Sequence, residues 1–164
     1  DELLIEKLTE AAKVGVEIKL IIRGICSMFT ENKKFKIPVQ AISIIDEYLE
    51  HARVMIFHHG GKEKVFISSA DWMVRNIDHR IEVACPILEK SMQEEIKDII
   101  GIQLRDNIKA RILNNEQSNQ YINPRNTRKV RSQVETYHYL YRKIAAVLTL
   151  PYSPILDESI QPME

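Results

Sequence analysis

Two short runs rich in β-branched and aromatic residues, Arg53–Phe57 and Val65–Ser69, are joined through a His-His-Gly-Gly turn at positions 58–61. No other feature constrains the fold of this chain as tightly. Paired glycines supply the positive φ that a tight reversal needs, and runs of this length and composition read as paired strands. The pattern predicts a β-hairpin. A hairpin is only marginally stable by itself, so it has to join a larger sheet or rest on a helix. A structural hairpin requires an apolar face and a turn. Between Glu50 and Glu82 this one also gathers His51, Arg53, Lys62, Lys64, Ser68, Ser69, Asp71, Arg75, Asn76 and Arg80. That surplus of cationic and hydroxyl groups points to a strongly anionic ligand, with phosphate the first candidate.

The flanking sequence supplies the layers. Asp1–Val14 reads as an amphipathic helix with Leu3, Leu4, Leu8, Ala11 and Ala12 on one face, early acids at its positive end and Gly15 as its stop. Val16–Ile22 follows as a short apolar strand, so helix, glycine and strand make half of an α/β unit. Arg23 then stands at the carboxyl end of that strand, the edge where open α/β sheets collect ligands. Thr30–Lys36 is a polar loop, Ile37–Ile42 a strand, and Ser43–Glu50 a short helical turn carrying Ile44, Ile45, Tyr48 and Leu49. Beyond the hairpin, Arg80–Ile87 reads as a strand closed by Pro86, and Leu88–Arg105 as a helix. Asn114–Asn126 is rich in Asn and Gln and reads as a loop; Ser132–Leu148 is a second long helix, with Tyr137, Leu140, Tyr141, Ile144 and Val147 at packing positions. The tail from Pro151 is expected to fray. The sum is an α/β fold, a layered domain with a mixed sheet over residues 1–113, a loop over 114–131, and a C-terminal helix and tail over 132–164 packing on the same domain.

Composition sets limits on function. The 164 residues suffice for one domain with a real core. Lys and Arg balance Asp and Glu at 23 each, so any affinity for polyanions has to rest on a local patch. Cys26 and Cys85 fit no metal spacing and lie in apolar surroundings (GICSM and VACPI), which reads as buried free thiols in a reducing compartment. No run approaches the roughly 18 apolar residues of a membrane span, and no signal-peptide pattern opens the chain. Its start without a methionine, directly on DELLIEKLTEAA, reads as a piece of a longer polypeptide.

His51 leads into the hairpin as His-x-Arg, and the return strand ends in Ser68-Ser69-Ala70-Asp71. A histidine before a strand is either a satisfied structural residue or a functional one; this spacing brings it to one edge with the serine hydroxyls. The arrangement resembles the His-x-Lys…Gly-Ser-x-Asn signature of the phospholipase D superfamily, whose histidine attacks phosphorus. It departs from that signature in several places. Arg53 stands for the Lys, Ser68 for the Gly and Asp71 for the Asn, and His58 occupies the place of the superfamily's downstream Asp.

A longer likeness covers almost the whole chain. IRGIC at Ile22–Cys26, YLEHARV at Tyr48–Val54, SSADWMVRNIDHRIEV at Ser68–Val83 and QLRDNIKAR at Gln103–Arg111 resemble, in order and near their spacings, the C-terminal domain of bacterial polyphosphate kinase. The resemblance implies a phospholipase D-like layered sandwich, the second of two such domains that face each other. It implies a kinase that transfers the terminal phosphate of ATP reversibly to inorganic polyphosphate through a phosphohistidine, which lies in the first domain, outside this chain. Arg23 and His51 match the positions that contact nucleotide phosphates, with His51 in the catalytic role. Mg2+ would enter with ATP and be held mostly outside this chain. The implied partners are ATP or ADP, polyphosphate and the remaining domains of a homo-oligomeric parent enzyme, which is cytoplasmic and able to sit peripherally at the inner membrane; the isolated piece is expected to be inactive.

The chemistry stands on its own terms as well. Phosphoryl transfer asks mainly for positioning and charge neutralisation. Arg23 and Arg53 offer planar forks to phosphate oxygens, His51 a proton or hydrogen bond, and Ser68 and Ser69 hydroxyl donors. Arg75 and Arg80 either bind polyphosphate or pair with Asp71, Asp78 and Glu82. Lys62 and Lys64 are turn charges or ligand contacts. His58 and His59 lack a third ligand, so no metal site is expected there. Trp72 is read as a core or interdomain residue before a base-stacking one. The basic stretch Arg125, Arg128, Lys129, Arg131 and Arg142 either solvates a helix or lines a polyphosphate channel; packing accounts for Tyr137 and Tyr141, and no nucleic-acid partner is expected. Two other functions stay open from the residues: a phosphodiesterase of the phospholipase D type with His51 as nucleophile, and a non-catalytic polyanion-binding module.

Overall fold

The computed structural model describes residues 1–123 and 127–148. Helix α1 spans Glu2–Val14, and both ends follow from the sequence. The Asp1 carboxylate accepts from the Leu4 amide at 3.0 Å. Gly15 takes the left-handed conformation at φ 97°, and the amides of Gly15 and Val16 return to the carbonyls of Ala12 and Ala11. A methyl group at Gly15 would also lie 3.3 Å from the Lys36 side chain.

Strands β1 (Lys19–Ile21) and β2 (Gln40–Ile44) pair in parallel, and β6 (Ala110–Ile112) joins β2 antiparallel, giving the mixed sheet β1-β2-β6. Apolar positions of α1 pack with this sheet around Ala12, Ile18, Met28 and Val39, with Ile5, Leu8, Leu20 and Phe35 against them. β1 begins later than the apolar run Val16–Ile22 suggests, because the Val16 amide is committed to closing α1. β2 begins later than Ile37, after Pro38, which has no amide to give a ladder. Its last residues are Ser43 and Ile44, so the helical turn expected over Ser43–Glu50 does not form; residues 45–53 run without regular secondary structure.

The predicted hairpin is β3 (Val54–Phe57) and β4 (Lys64–Ser68), in register Val54↔Ile67, and β5 (Ala84–Ile87) adds to β4 to make a separate antiparallel sheet. Pro86 lies inside β5, an edge strand, where a missing amide is tolerated. A single turn, α2 (Val74–Ile77), lies between β4 and β5. Helix α3 (Lys90–Leu104) follows β5, and the Gln93 side chain donates to the Ile87 carbonyl at 2.6 Å. Helix α4 (Ser132–Leu148) runs beside α3, where the Tyr139 hydroxyl donates to Asp98 at 2.8 Å. The cysteine expectation is corrected in part: both thiols are free, but Cys26 is only half-buried and Cys85 is exposed on the edge strand. No helix among the described residues is long and apolar enough to cross a membrane. Arg125 and the tail from Pro151 lie outside the described residues, as does the Val147 side chain.

Candidate functional site

Parallel pairing of β1 with β2 puts the carboxyl ends of both strands at one edge. Arg23 leaves β1 at that edge, and the chain leaving β2 returns there at Glu50. The Arg23 guanidinium donates to the Glu50 carbonyl at 3.0 Å, directly beside His51. The antiparallel hairpin brings a second set of groups to the same place. The start of β3 lies beside the end of β4, and the Ser68 amide donates to the Arg53 carbonyl at 2.9 Å. Asp71 follows β4 and accepts from Arg53 Nε at 3.0 Å.

The half-buried Arg53 is the hub of this edge. Its Nη1 donates to the His51 carbonyl at 3.3 Å, and its Nη2 lies 2.9 Å from His51 Nε2. A guanidinium has only donors, so Nε2 accepts and the ring proton resides on Nδ1. The exposed His51 ring therefore carries its single N–H on the nitrogen that Arg53 does not occupy. The hydrogen bond from Arg53 holds the Asp71 carboxyl below the ordinary carboxylate range; partial burial opposes this, and the charges of Arg53 and Arg75 reinforce it. Arg75 pairs with the other Asp71 oxygen at 3.7 Å and stays largely exposed.

The two serines are placed differently. The Ser69 hydroxyl donates to Glu82 in a short contact and accepts from the Val83 amide at 3.0 Å, so its hydrogen is already engaged. Ser68 Oγ accepts from the Ala70 amide at 3.1 Å, and its own hydrogen has no acceptor among the described residues. Glu82 also accepts from the Asn76 amide at 2.7 Å, and these two bonds hold its carboxyl below the usual range. Asn76 is buried, and its Oδ1 has no partner among the described residues. Sequence reasoning counted Asn76 within the polar surplus and gave it no role. The available signal was an amide among the apolar residues Met73, Val74 and Ile77 on a single helical turn. Arg80 is exposed and makes no ion pair among the described residues, while its charge acts on Glu82.

Other candidates lie apart from this edge. His58, His59, Lys62 and Lys64 are exposed around the hairpin turn. No group of three His, Cys, Asp or Glu able to hold a metal occurs among the described residues. Asp71, the carboxylate that shares Arg53 with His51, is flanked by two guanidinium groups, so this edge by itself does not fit a magnesium ion. Of the basic C-terminal stretch, Arg128 pairs with Glu135 at 2.9 Å and Arg131 with Asp46 and Glu47, which leaves Lys129 and Arg142 exposed. A cavity of about 450 Å³ lies between α3, α4 and residues 127–130, lined by Ile102, Arg105, Asn107 and Val130 among others, and none of its lining residues belongs to the His51 edge.

The class so defined is an α/β domain of phospholipase D-like fold whose strand-end edge carries imidazole and guanidinium groups. Comparison with known proteins narrows it. The family model "Polyphosphate kinase C-terminal domain 2" matches residues 1–133, and the chain belongs to that family. It is 51% identical to a polyphosphate kinase of Vibrio cholerae over 140 residues, covering 85% of this chain and 20% of the relative. Against the polyphosphate kinase of Escherichia coli K12 the identity is 46% with the same coverage. The crystal structure of polyphosphate kinase from Porphyromonas gingivalis superposes with a TM-score of 0.85 at 45% identity, over 89% of this chain and 22% of that one. The chain thus spans about a fifth of the length of the relatives it matches.

Proposed function

We propose that this domain is the nucleotide-phosphate-binding part of a polyphosphate kinase, which transfers the terminal phosphoryl group of ATP reversibly to inorganic polyphosphate. The observation that supports it most is the junction at Glu50, where the Arg23 guanidinium holds the backbone next to His51 at 3.0 Å. Two chain segments 27 residues apart meet there and set a permanent cation against the backbone that carries His51.

In this reading the acceptor of the first step is a histidine on another domain of the full-length enzyme. The bond from the γ-phosphorus to the β–γ bridging oxygen breaks, a bond from phosphorus to that histidine forms, and ADP leaves with the negative charge on its oxygen. The phosphoryl group then passes to the terminal oxygen of polyphosphate. Charge spreads over the phosphoryl oxygens and the departing oxygen, so preorganised donors there lower the barrier. Arg23 supplies a fixed charge. His51 donates from Nδ1 to a phosphate oxygen, and Arg53, by holding Nε2, keeps the donor on that side. Arg75, Arg80 and the Ser68 hydroxyl complete a cationic rim for the polymer, with Ser69 acting from behind through Glu82. Magnesium, in this proposal, is held by the nucleotide and by residues outside this chain. A phosphodiesterase with His51 as nucleophile fits less well. Its Nε2 faces a guanidinium, and among the described residues no carboxylate hydrogen-bonds the ring.

The test is His51→Ala in the full-length kinase containing this segment. ATP-dependent polymer synthesis is expected to fall by roughly 10²-fold or more, the usual scale of a lost proton donor, with an unchanged melting temperature. Wild-type turnover in that variant would remove His51 from the mechanism.

A further inference from the structure

His51 stands in a segment, residues 45–53, that has no regular secondary structure. Its tethers come from distant parts of the chain. Arg131 forks the Asp46 carboxylate at 2.7 and 2.8 Å and reaches Glu47 at 3.0 Å. Gln133 donates to the Tyr48 carbonyl at 2.8 Å and accepts from the Tyr48 amide at 3.1 Å. Gln103 of α3 donates to the Glu50 carboxylate at 3.1 Å. The Gln133 amide thus acts as a one-residue partner strand: it satisfies both backbone groups of Tyr48, three residues before His51.

The start of α4 is itself fixed. Asp106 is buried, and one of its oxygens accepts from the Ser132 amide at 2.7 Å while the other accepts from the amides of Ile108, Lys109 and Ala110. Asp46 is equally enclosed, with its side chain 1% exposed. A rigid arm therefore runs from the α3–β6 connection through the first turn of α4 to the backbone ahead of His51. The family match reaches residue 133, so both Arg131 and Gln133 lie within it.

We infer that Gln133, supported by Arg131, is a positioning residue that sets the height of the His51 ring against the transferring phosphate. The inference rests on the function proposed above. The primary amide of Gln133 donates to one Tyr48 backbone group and accepts from the other. A carboxylate keeps the bond from the Tyr48 amide and opposes the carbonyl, and alanine offers neither bond. Small displacements of a catalytic donor are costly, with about 1 Å worth up to roughly 10²-fold in rate.

The experiment compares Gln133→Ala, Gln133→Glu and His51→Ala in the full-length kinase. Turnover, the KM for ATP, the melting temperature and amide exchange of peptides covering residues 45–53 are measured together. The expected result for Gln133→Ala is a fall in kcat of about 10-fold, little change in KM, and faster exchange confined to that segment. Gln133→Glu is expected to fall between it and wild type. An inactive His51→Ala beside a fully active Gln133→Ala overturns the inference and leaves the proposed function standing. A loss of activity accompanied by a general fall in melting temperature, with no local change in exchange, also overturns it. A fully active His51→Ala removes the proposed function and this inference with it.

Discussion

The two ends of strand β3 are built on opposite principles. Its exit, the turn at His58–Gly61, is held by its own backbone: His59, Gly60 and Gly61 take φ of 46°, 62° and 85°, and the amides of Gly61 and Lys62 return to the carbonyls of His58 and His59. Its entry, residues 45–53, is held from far away, Tyr48 by a residue 85 positions along the chain. The local end is exposed and carries only turn chemistry. The distant end carries His51. A turn fixed by its own dihedrals can be precise about its shape and has no means of being placed against other segments. A segment fixed by side chains from α3, α4 and the end of β1 is placed relative to all three. The phosphoryl transfer proposed for this edge would need the second kind of precision.

The contrast breaks most completely at Asp106. Its carboxylate takes four backbone amides from two segments, and burial would push its pKa up; the amide donors of Ser132, Lys109 and Ala110 outweigh that and hold it below the ordinary value. Asp106→Ala leaves those amides buried without a partner, at a cost of about 3 kcal/mol or more. Urea unfolding of the chain measures the loss. Amide exchange should rise at 45–53 and stay unchanged at the hairpin turn. The pH dependence follows from the sign of the shift. A carboxyl whose folded pKa lies below its unfolded value of about 3.9 contributes stability that is complete above that value and is lost as pH falls through the folded one. Asp106→Asn should therefore flatten the acid limb of the stability curve below about pH 4. An unaltered limb would show that the carboxylate does not carry this term.

A smaller break is expected at Asp46. Hydrogen bonds from Arg131 hold its carboxyl below the ordinary range, although burial pushes it the other way. Asp46→Ala removes a fork-to-fork pair, but Arg131 is about one third exposed and keeps Glu47, so water and the second carboxylate take up part of its charge. The expected loss is about 1–2 kcal/mol in urea unfolding, again with faster exchange at 45–53. A loss equal to that of Asp106→Ala would mean that the pair holds up the whole helix rather than one loop.

This division also explains what the sequence could disclose. Local devices were legible: Asp1 and Gly15 bound α1, the double glycine closes the hairpin, and the pattern from Ser132 to Leu148 gives α4 its observed limits, although Tyr137, Tyr141 and Ile144, expected to pack, are exposed. Elements fixed from afar were not. Ile44, Ile45, Tyr48 and Leu49 have helical spacing, yet Ile45, Tyr48 and Leu49 are exposed and there is no buried face for a helix to present. The Tyr48 amide and carbonyl find Gln133 instead of a helical neighbour. Strand β6 is three residues long, too short for a period to register, and exists because Asp106 turns the chain so that Ile112 meets Ile42. Cys85 sits in an apolar pentapeptide and is nonetheless exposed, because it lies on the edge strand β5, where Ala84, Cys85 and Pro86 are all exposed. At the site, the motifs that resemble the family named Arg23 and His51. Their adjacency depends on parallel register between β1 and β2, and the tie through the Glu50 carbonyl is a backbone contact that no side-chain pattern encodes.

The smallest expected effect lies at the other end of β3, and it sharpens the comparison by its confinement. Gly60 has φ 62° and ψ 32°, and a methyl group built there meets no atom within 4 Å. The only penalty for Gly60→Ala is the left-handed backbone itself, about 1 kcal/mol, because an L side chain crowds its own carbonyl in that region. Among the described residues this turn reaches 45–53 only indirectly, through the β3–β4 pair and through the Glu63–Lys97 ion pair to α3, and neither is disturbed by a methyl group pointing into open space. Urea unfolding should therefore record a loss of about 1 kcal/mol, while amide exchange at 45–53 and polymer synthesis by the full-length kinase remain at wild-type levels. A fall in synthesis beyond that small loss of stability would place the hairpin turn, with its exposed Lys62 and Lys64, in contact with the phosphate chain, and the two ends of β3 would then share one task.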